Sequence, residues 1–110
     1  MIVVTTNEIP GKKIVRVLGL VRGNTIRCRS MKRDILAFFK HFVGGEIEDY
    51  TKLFGEAREQ ALDRMIEEAY ALQANAIVCH RFASSEIMAG AAELLAYGTA
   101  VLVEDDPGPA

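Results

Sequence analysis

Four side chains of this sequence carry the thiol and imidazole groups that bind soft metal ions: Cys28, His41, Cys79 and His80. Cys79 and His80 are adjacent, at the end of a short apolar segment that predicts a strand. Because successive side chains of a strand point to opposite faces, we do not expect both to bind one ion within a single chain. A symmetric oligomer repeats each residue around its axis, and copies of Cys79 or His80 would then form a site that no monomer contains.

The same residues have an ordinary structural interpretation. Free cysteine is among the most often buried residue types, which predicts an inert thiol at Cys79. His80 would form a structural hydrogen bond, and His41, near the end of a predicted helix, would complement the helix dipole. No Cys-x-x-Cys pair of the kind used by structural zinc sites is present. We keep Cys79 and His80 as the first candidate ligands for a soft divalent metal ion, with Glu86 as a third.

A second group of candidate residues is basic. Five cations fall within twelve residues before the first acid, Asp34: Arg22, Arg27, Arg29, Lys32 and Arg33. Since the run leads into a predicted helix N-terminus, whose free amides attract anions, a phosphate or small acidic ligand is expected at four of them, Arg27, Arg29, Lys32 and Arg33. The alternative is a solvated edge paired with carboxylates of the long helix. No aromatic residues alternate with these cations, which disfavours a nucleic-acid surface.

Patterns typical of enzymes are weak in this sequence. Ser84-Ser85-Glu86 lacks the strand, turn and helix context of a nucleophile elbow, and no glycine-rich loop matches a phosphate-binding or dinucleotide fingerprint. Paired carboxylates such as Glu67-Glu68 fall on a predicted solvent face, where no cleft is expected. We therefore predict a protein without enzymatic activity.

Composition places the chain among ordinary globular proteins. It has 110 residues, of which 50% are hydrophobic, and a net charge of −2, so a single domain with its own core is expected and a general affinity for nucleic acid or anionic membranes is not. No stretch approaches the ~20 apolar residues of a membrane span, and the N-terminus lacks the features of a signal peptide. Two cysteines without an export signal indicate reduced thiols and a cytoplasmic protein.

The chain pattern predicts six elements in the order β-β-α-α-β-β. The predicted strands are residues 2–6, 13–21, 25–29, 76–82 and 94–103, with a turn or bulge at Arg22-Gly23-Asn24. The predicted helices are residues 31–43 and 47–72. Helix 31–43 would be capped by Ser30 and ended by Gly44-Gly45, Ser84-Ser85-Glu86 would form a turn, and residues 88–92 are ambiguous. Residues 1–104 would form one domain, followed by a disordered acidic tail at 105–110.

This order predicts an α/β fold of the two-layer α+β type, with helices on one face of the sheet. The other face would be bare and would carry Val15, Val17 and Val21. Because apolar side chains are costly in water, we expect association with further copies of the chain to cover them.

Several segments together resemble the YbjQ family of small bacterial and archaeal proteins, whose label refers to heavy-metal binding. They are Thr5-Thr6, Leu18-Gly19-Leu20-Val21, Arg33-Asp34, Gly44-Gly45, Tyr50, Ala57-Arg58, Ala61, Ala74-Asn75-Ala76-Ile77-Val78 and Tyr97-Gly98-Thr99-Ala100-Val101. The resemblance covers nearly the whole chain except the tail. It implies a ring-shaped homopentamer with sheets towards a central channel and helices outside, and it supplies no ligand motif.

The sequence departs from the family pattern in two places. Gln73 stands where the family usually has Gly after the long helix, so a left-handed cap there would be strained. Cys79-His80 replaces a small or aliphatic pair in the third strand. The resulting hypothesis is a non-enzymatic homo-oligomer that binds metal or a small ligand between subunits. The alternatives are a scaffold without a ligand and a protein binding a phosphorylated metabolite at the basic cluster.

Overall fold

A computed structural model describes residues 1–28, 46–88 and 91–108 of the chain. It contains four strands and one helix in these ranges: β1 Ile2–Val3, β2 Lys12–Cys28, α1 Glu46–Ala71, β3 Ala76–Met88 and β4 Ala91–Asp105. The predicted helix 31–43 with its flanking glycines, and the candidate residues Arg29, Lys32, Arg33 and His41, lie outside the described residues.

The four strands form one mixed sheet in the order β1-β3-β4-β2. β1 runs parallel to β3, and β4 is antiparallel to both β3 and β2. The predicted α+β class with a helix on one face of the sheet is confirmed. Within the described residues, no helix combines the length and apolarity needed to cross a membrane.

Helix α1 packs on the sheet through small residues spaced four apart. Ala57, Ala61, Met65 and Ala69 are buried and recur with the spacing of one helix face. Their partners on the sheet include Val21, Ile77, Ala96 and Ala100. Because alanine projects little from the helix, α1 lies close to the strands beneath it.

The predicted turn or bulge at Arg22-Gly23-Asn24 is wrong, since β2 continues through these residues and pairs with β4 there without a shift of register. Gly23 has a different purpose: a Cβ built there would collide with the backbone of Ala61 and Met65. The glycine therefore permits close approach of α1 to β2, and it does not reverse the chain.

The predicted turn at Ser84-Ser85-Glu86 is also wrong. These residues lie within β3 and pair with Leu94, Glu93 and Ala92 of β4, so the two strands form a long hairpin. The ambiguous segment 88–92 contains the ends of both strands, with residues 89 and 90 outside the described part. Small and polar residues on an exposed ribbon gave the sequence its turn-like composition.

The chain reverses sharply after α1 through a left-handed residue at Gln73, whose φ is 65°. The Gln73 amide donates to the Tyr70 carbonyl (2.9 Å), and the Ala74 amide donates to that of Ala69 (3.0 Å). This pair of bonds defines a Schellman cap, in which the left-handed position normally holds glycine. The left-handed cap expected at Gln73 is thus present.

Within the described residues, the sheet face opposite α1 is covered at one end only. There, Val4 and Ile9 of the segment after β1 pack on a second cluster formed by Ala76, Val78, Val101 and Val103. Elsewhere on the face, large apolar side chains of β2 are open, with exposed fractions of 65% at Val17, 62% at Leu20 and 54% at Ile26. We call this open part the uncovered face.

One residue predicted for that face lies on the other. Val21 is fully buried beneath α1. The reason is the irregularity in β2 between Val17 and Gly19, which adds one residue and reverses the alternation of faces before Val21. A pattern with strict period two could not place Val17 and Val21 on opposite faces.

Candidate metal site

Cys79 and His80 form a β-bulge at the centre of β3. Val78 pairs with Thr99 and Arg81 pairs with Tyr97, so Cys79 and His80 together oppose the single residue Gly98 of β4. An extra residue at such a point bends the strand and redirects the side chains beside it. The bulge is the structural feature that sets this pair apart from the rest of the strand.

The backbone of Cys79 is left-handed, with φ of 56°. This conformation suits glycine and is unfavourable for a residue with a Cβ. Opposite the bulge, a Cβ on Gly98 would lie 2.6 Å from Ile77 Cγ2 and 3.1 Å from the Val78 carbonyl oxygen. Gly98 therefore permits the close approach of the two strands at the bulge. Strained backbone of the kind seen at Cys79 recurs at functional sites.

Residues 4–6, which follow β1, hydrogen-bond to the bulge along the edge of β3 that faces away from β4. The Cys79 amide donates to the Thr6 carbonyl (2.9 Å), and the His80 amide donates to that of Val4 (3.0 Å). The Arg81 guanidinium donates through Nη1 to the carbonyls of Thr5 (2.7 Å) and His80 (2.8 Å). In the described residues beyond Arg81, β3 has a partner strand on the β4 side only.

The imidazole of His80 is held in a defined orientation. The side chain is buried, with 8% exposed, and its Nδ1 lies 3.1 Å from the Tyr97 carbonyl oxygen. A carbonyl can only accept, so Nδ1 carries the proton and Nε2 presents a lone pair. The Phe82 ring packs edge-on against the imidazole, with the two ring centroids 4.6 Å apart. A histidine oriented by a carbonyl in this way resembles metal-ligating histidines.

Cys79 has different neighbours from His80. It is partly buried and packs against the cluster that contains Val78 and Val103. His80, in contrast, contacts Phe82, whose partner Ala96 belongs to the core beneath α1. In the ranges that the structure describes, no three side chains among His, Cys, Asp and Glu come together as a metal-binding group.

Glu86 lies six residues beyond His80 along β3 and is exposed. At about 3.3 Å per residue, the two are about 20 Å apart, too far for one ion. Glu86 could join Cys79 or His80 only from another copy of the chain.

Of the four predicted anion-binding residues, Arg27 alone is described. Its Nη2 donates to Gln60 Oε1 (2.9 Å), and its buried Nε has no hydrogen-bond partner in the part of the chain that the structure describes. The groove beside it is lined by carboxylates of α1, namely Glu56, Glu59 and Asp63. These negative charges match the predicted alternative of an edge paired with the long helix more closely than a phosphate site.

Comparison of the sequence with known proteins identifies its family. The sequence profile of the YbjQ family, described as "Putative heavy-metal-binding", matches residues 1–104. The chain belongs to the YbjQ family. A UPF0145 protein of Clostridioides difficile strain 630 is 54% identical over 106 residues, which cover 96% of this chain and 95% of that protein. A UPF0145 protein of Archaeoglobus fulgidus is 54% identical over 101 residues, covering 92% and 94%.

A solved structure has the same fold. It is the crystal structure of a protein of unknown function of the DUF74 family from Pediococcus pentosaceus, with a TM-score of 0.65 and 17% identity. The match covers 94% of this chain and 98% of that one. Neither the names of the two UPF0145 relatives nor that of the solved structure states a reaction, so a functional assignment has to come from the residues of this chain.

Proposed function

We propose that this YbjQ protein is a homo-oligomer that binds soft divalent metal ions between neighbouring copies, with Cys79 and His80 as ligands contributed by different copies of the chain. The observation that carries the proposal is the bulge in β3. It holds a thiol in a strained backbone conformation beside an imidazole whose Nδ1 is engaged by the Tyr97 carbonyl. Thiolate and neutral imidazole are the ligand types that zinc and other soft ions prefer.

A second copy is needed because one chain supplies too few ligands. Structural zinc sites use four protein ligands in a tetrahedron, and the described part of the chain assembles no group of three. In a symmetric ring the same two side chains recur at every boundary, so ligands from adjacent copies can meet. The bound ion would add positive charge at the boundary between copies and would cross-link them.

The shape of the chain supports self-association. Its radius of gyration is 18.4 Å, against about 13 Å expected for a compact domain of this length. The longest dimension is 65 Å and the shortest 17 Å. An elongated, thin subunit with open apolar side chains is poorly suited to remain alone in water.

Two backbone edges offer the means of association. β2 is the last strand of the described sheet on one side, and β3 beyond Arg81 has no described partner on the other. Unpaired strand edges add further strands readily, so β2 of one copy would pair with β3 of the next. Cys79 and His80 lie where the cover provided by the segment after β1 ends, which puts them beside the incoming strand.

Zinc uptake by untagged protein tests the metal assignment. Protein stripped of metal is loaded with Zn²⁺, and its zinc content and native mass are measured in parallel. We expect stoichiometric zinc on a multimer, and a decrease in affinity of about tenfold or more for Cys79→Ser and for His80→Asn. Asparagine can still donate to the Tyr97 carbonyl while removing Nε2, so His80→Asn separates ligation from the structural hydrogen bond.

Two controls sharpen the result. Cys28→Ser removes the other thiol of the chain and should leave zinc binding unchanged. Glu86→Gln should reduce binding only if Glu86 of a neighbouring copy is a ligand. A metal-free wild-type multimer, or full zinc uptake by both Cys79→Ser and His80→Asn, would instead support a scaffold without a metal.

A further inference from the structure

β2 and the part of β3 beyond Arg81 form two open edges of the described sheet, and they carry opposite charge. The open part of β3 contains one carboxylate, Glu86, and no cation. β2 contains five cations and no carboxylate: Lys12, Lys13, Arg16, Arg22 and Arg27. Opposite charges on neighbouring strands stabilise their pairing and like charges oppose it, so these side chains influence which strand can pair with β2.

Arg27 on β2 and Glu86 on β3 lie in one row across the sheet. Both pair with Ala92 of β4, and residues that pair across a sheet place their side chains on the same face. Arg27 donates to Gln60 of α1, so the row lies on the α1 side of the sheet. Neighbouring strands are about 4.8 Å apart, so Ala92 separates the Cα atoms of Arg27 and Glu86 by about 10 Å within one chain. The row therefore ends in a cation at one edge and a carboxylate at the other.

The charge of Arg27 is not neutralised in the described part of the chain. Its Nη2 donates to the uncharged side chain of Gln60, and its Nε has no hydrogen-bond partner there. Three carboxylates of α1 line the groove beside Arg27, but none of these described residues forms an ion pair with it. Glu86 is exposed and has no ion-pair partner in the same ranges. Both charged groups are therefore available to a neighbouring copy.

The charges distinguish two ways in which copies can join at β2. A two-fold axis would pair β2 with β2 of a second copy and would set five cations against five. Pairing β2 with β3 of the next copy would instead bring Glu86 to this basic strand. β4 is antiparallel to both strands, so β2 and β3 run in the same direction, as copies related by rotation around a ring require. The charge pattern thus favours head-to-tail joining, which closes into a ring, over a two-fold dimer.

We propose that Glu86 of each copy forms an ion pair with Arg27 of the next, and that this pair selects head-to-tail joining through β2 and β3. The ion pair rests on the homo-oligomer of the proposed function and uses neither Cys79 nor His80. Strand pairing brings the two Cα atoms to about 5 Å, a distance that both long side chains span. An arginine offers a carboxylate two parallel hydrogen bonds, which adds geometric specificity to the contact. The α1 carboxylates disfavour a free anion at Arg27, whereas strand pairing holds Glu86 in place.

Charge reversal tests the ion pair, with dissociation of the multimer on dilution followed by native mass spectrometry. Glu86→Arg and Arg27→Glu each turn an attractive pair into a repulsive one. Each should raise the protein concentration at which half of the multimer dissociates by about tenfold or more. The double variant Arg27→Glu with Glu86→Arg restores opposite charges and should dissociate near the wild-type concentration. Arg27→Glu and the double variant both lack the Gln60 contact, so a rescue by Glu86→Arg cannot come from α1.

The matched control is Glu67→Arg, which makes the same charge change at an exposed position of α1. It should dissociate like the wild type, and a melting curve of each variant checks that it is folded. A wild-type multimer that resists both reversals, or a double variant as weak as the single ones, would overturn the ion pair and leave the proposed zinc site intact. A wild type with the mass of two chains would overturn head-to-tail joining. A wild type with the mass of one chain would remove the ion pair and the proposed function together.

Discussion

Two of the described residues, Gln73 and Cys79, occupy left-handed backbone positions that glycine normally fills. Gln73 ends α1 with φ of 65°, and Cys79 forms the bulge of β3 with φ of 56°. Gln73 is at a helix cap, where the conformation serves the chain reversal alone. Cys79 is in the middle of a sheet beside His80, and strain at such a place is the stronger indication of function.

Replacing Gln73 by glycine should stabilise the protein. Glycine adopts the left-handed cap without the Cβ conflict, and the gain exceeds its larger entropy in the unfolded chain, for a net of about 0.5–1 kcal/mol. Thermal or urea unfolding at one fixed protein concentration measures the change. Gln73→Ala is the control, since alanine keeps the Cβ and should give no gain. Equal stability of the glycine and alanine variants would show that backbone strain at Gln73 is negligible.

At the residue scale, the sequence identified the chemistry but not its geometry. The adjacency of Cys79 and His80 was visible, and so was the departure from glycine at Gln73. The bulge could not be predicted, because position 79 is not a glycine. The residue opposite the bulge, Gly98, is distant in the chain.

At the scale of elements, Gly23 controls how closely α1 approaches β2. Gly23→Ala should destabilise the protein by about 2–3 kcal/mol or more, because the new methyl group meets helix backbone that cannot move aside like a side chain. Chemical denaturation of purified protein gives the value.

Gly55→Ala provides the comparison for Gly23→Ala. It makes the same substitution on α1, where the nearest atom to a new Cβ is Arg58 Nη2 at 4.0 Å. This change should be neutral or stabilise by up to about 1 kcal/mol, as expected of alanine in a helix. If both glycine variants behave alike, the close contact between α1 and β2 is not a determinant of stability.

Local sequence signals predicted elements well where one face is buried against one partner. The stripe of α1 is an example, because Ala57, Ala61 and Met65 recur with helical spacing and all meet the sheet. The predictions were wrong in two situations. Gly23 is required by tertiary packing, because α1 lies close to it, and Ser84 and Ser85 belong to an exposed strand pair. Gly-Asn and Ser-Ser pairs favour turns in isolation, and pairing with β4 overrides that preference.

At the scale of the whole molecule, a thin subunit with two open strand edges leads to the last prediction. Leu20 is 62% exposed on the edge strand β2. A lysine on an edge strand opposes the addition of another strand, so Leu20→Lys should shift the native mass from the multimer towards the single chain. Phe54→Lys makes the same change of charge at a site on α1 that is 49% exposed, and it should leave the multimer intact. Native mass spectrometry of both variants beside the wild type separates a loss of edge pairing from a general effect of added charge. Loss of the multimer in both variants would argue against β2 as the contact, and a wild-type protein with the mass of one chain would remove the basis for a metal site shared between copies.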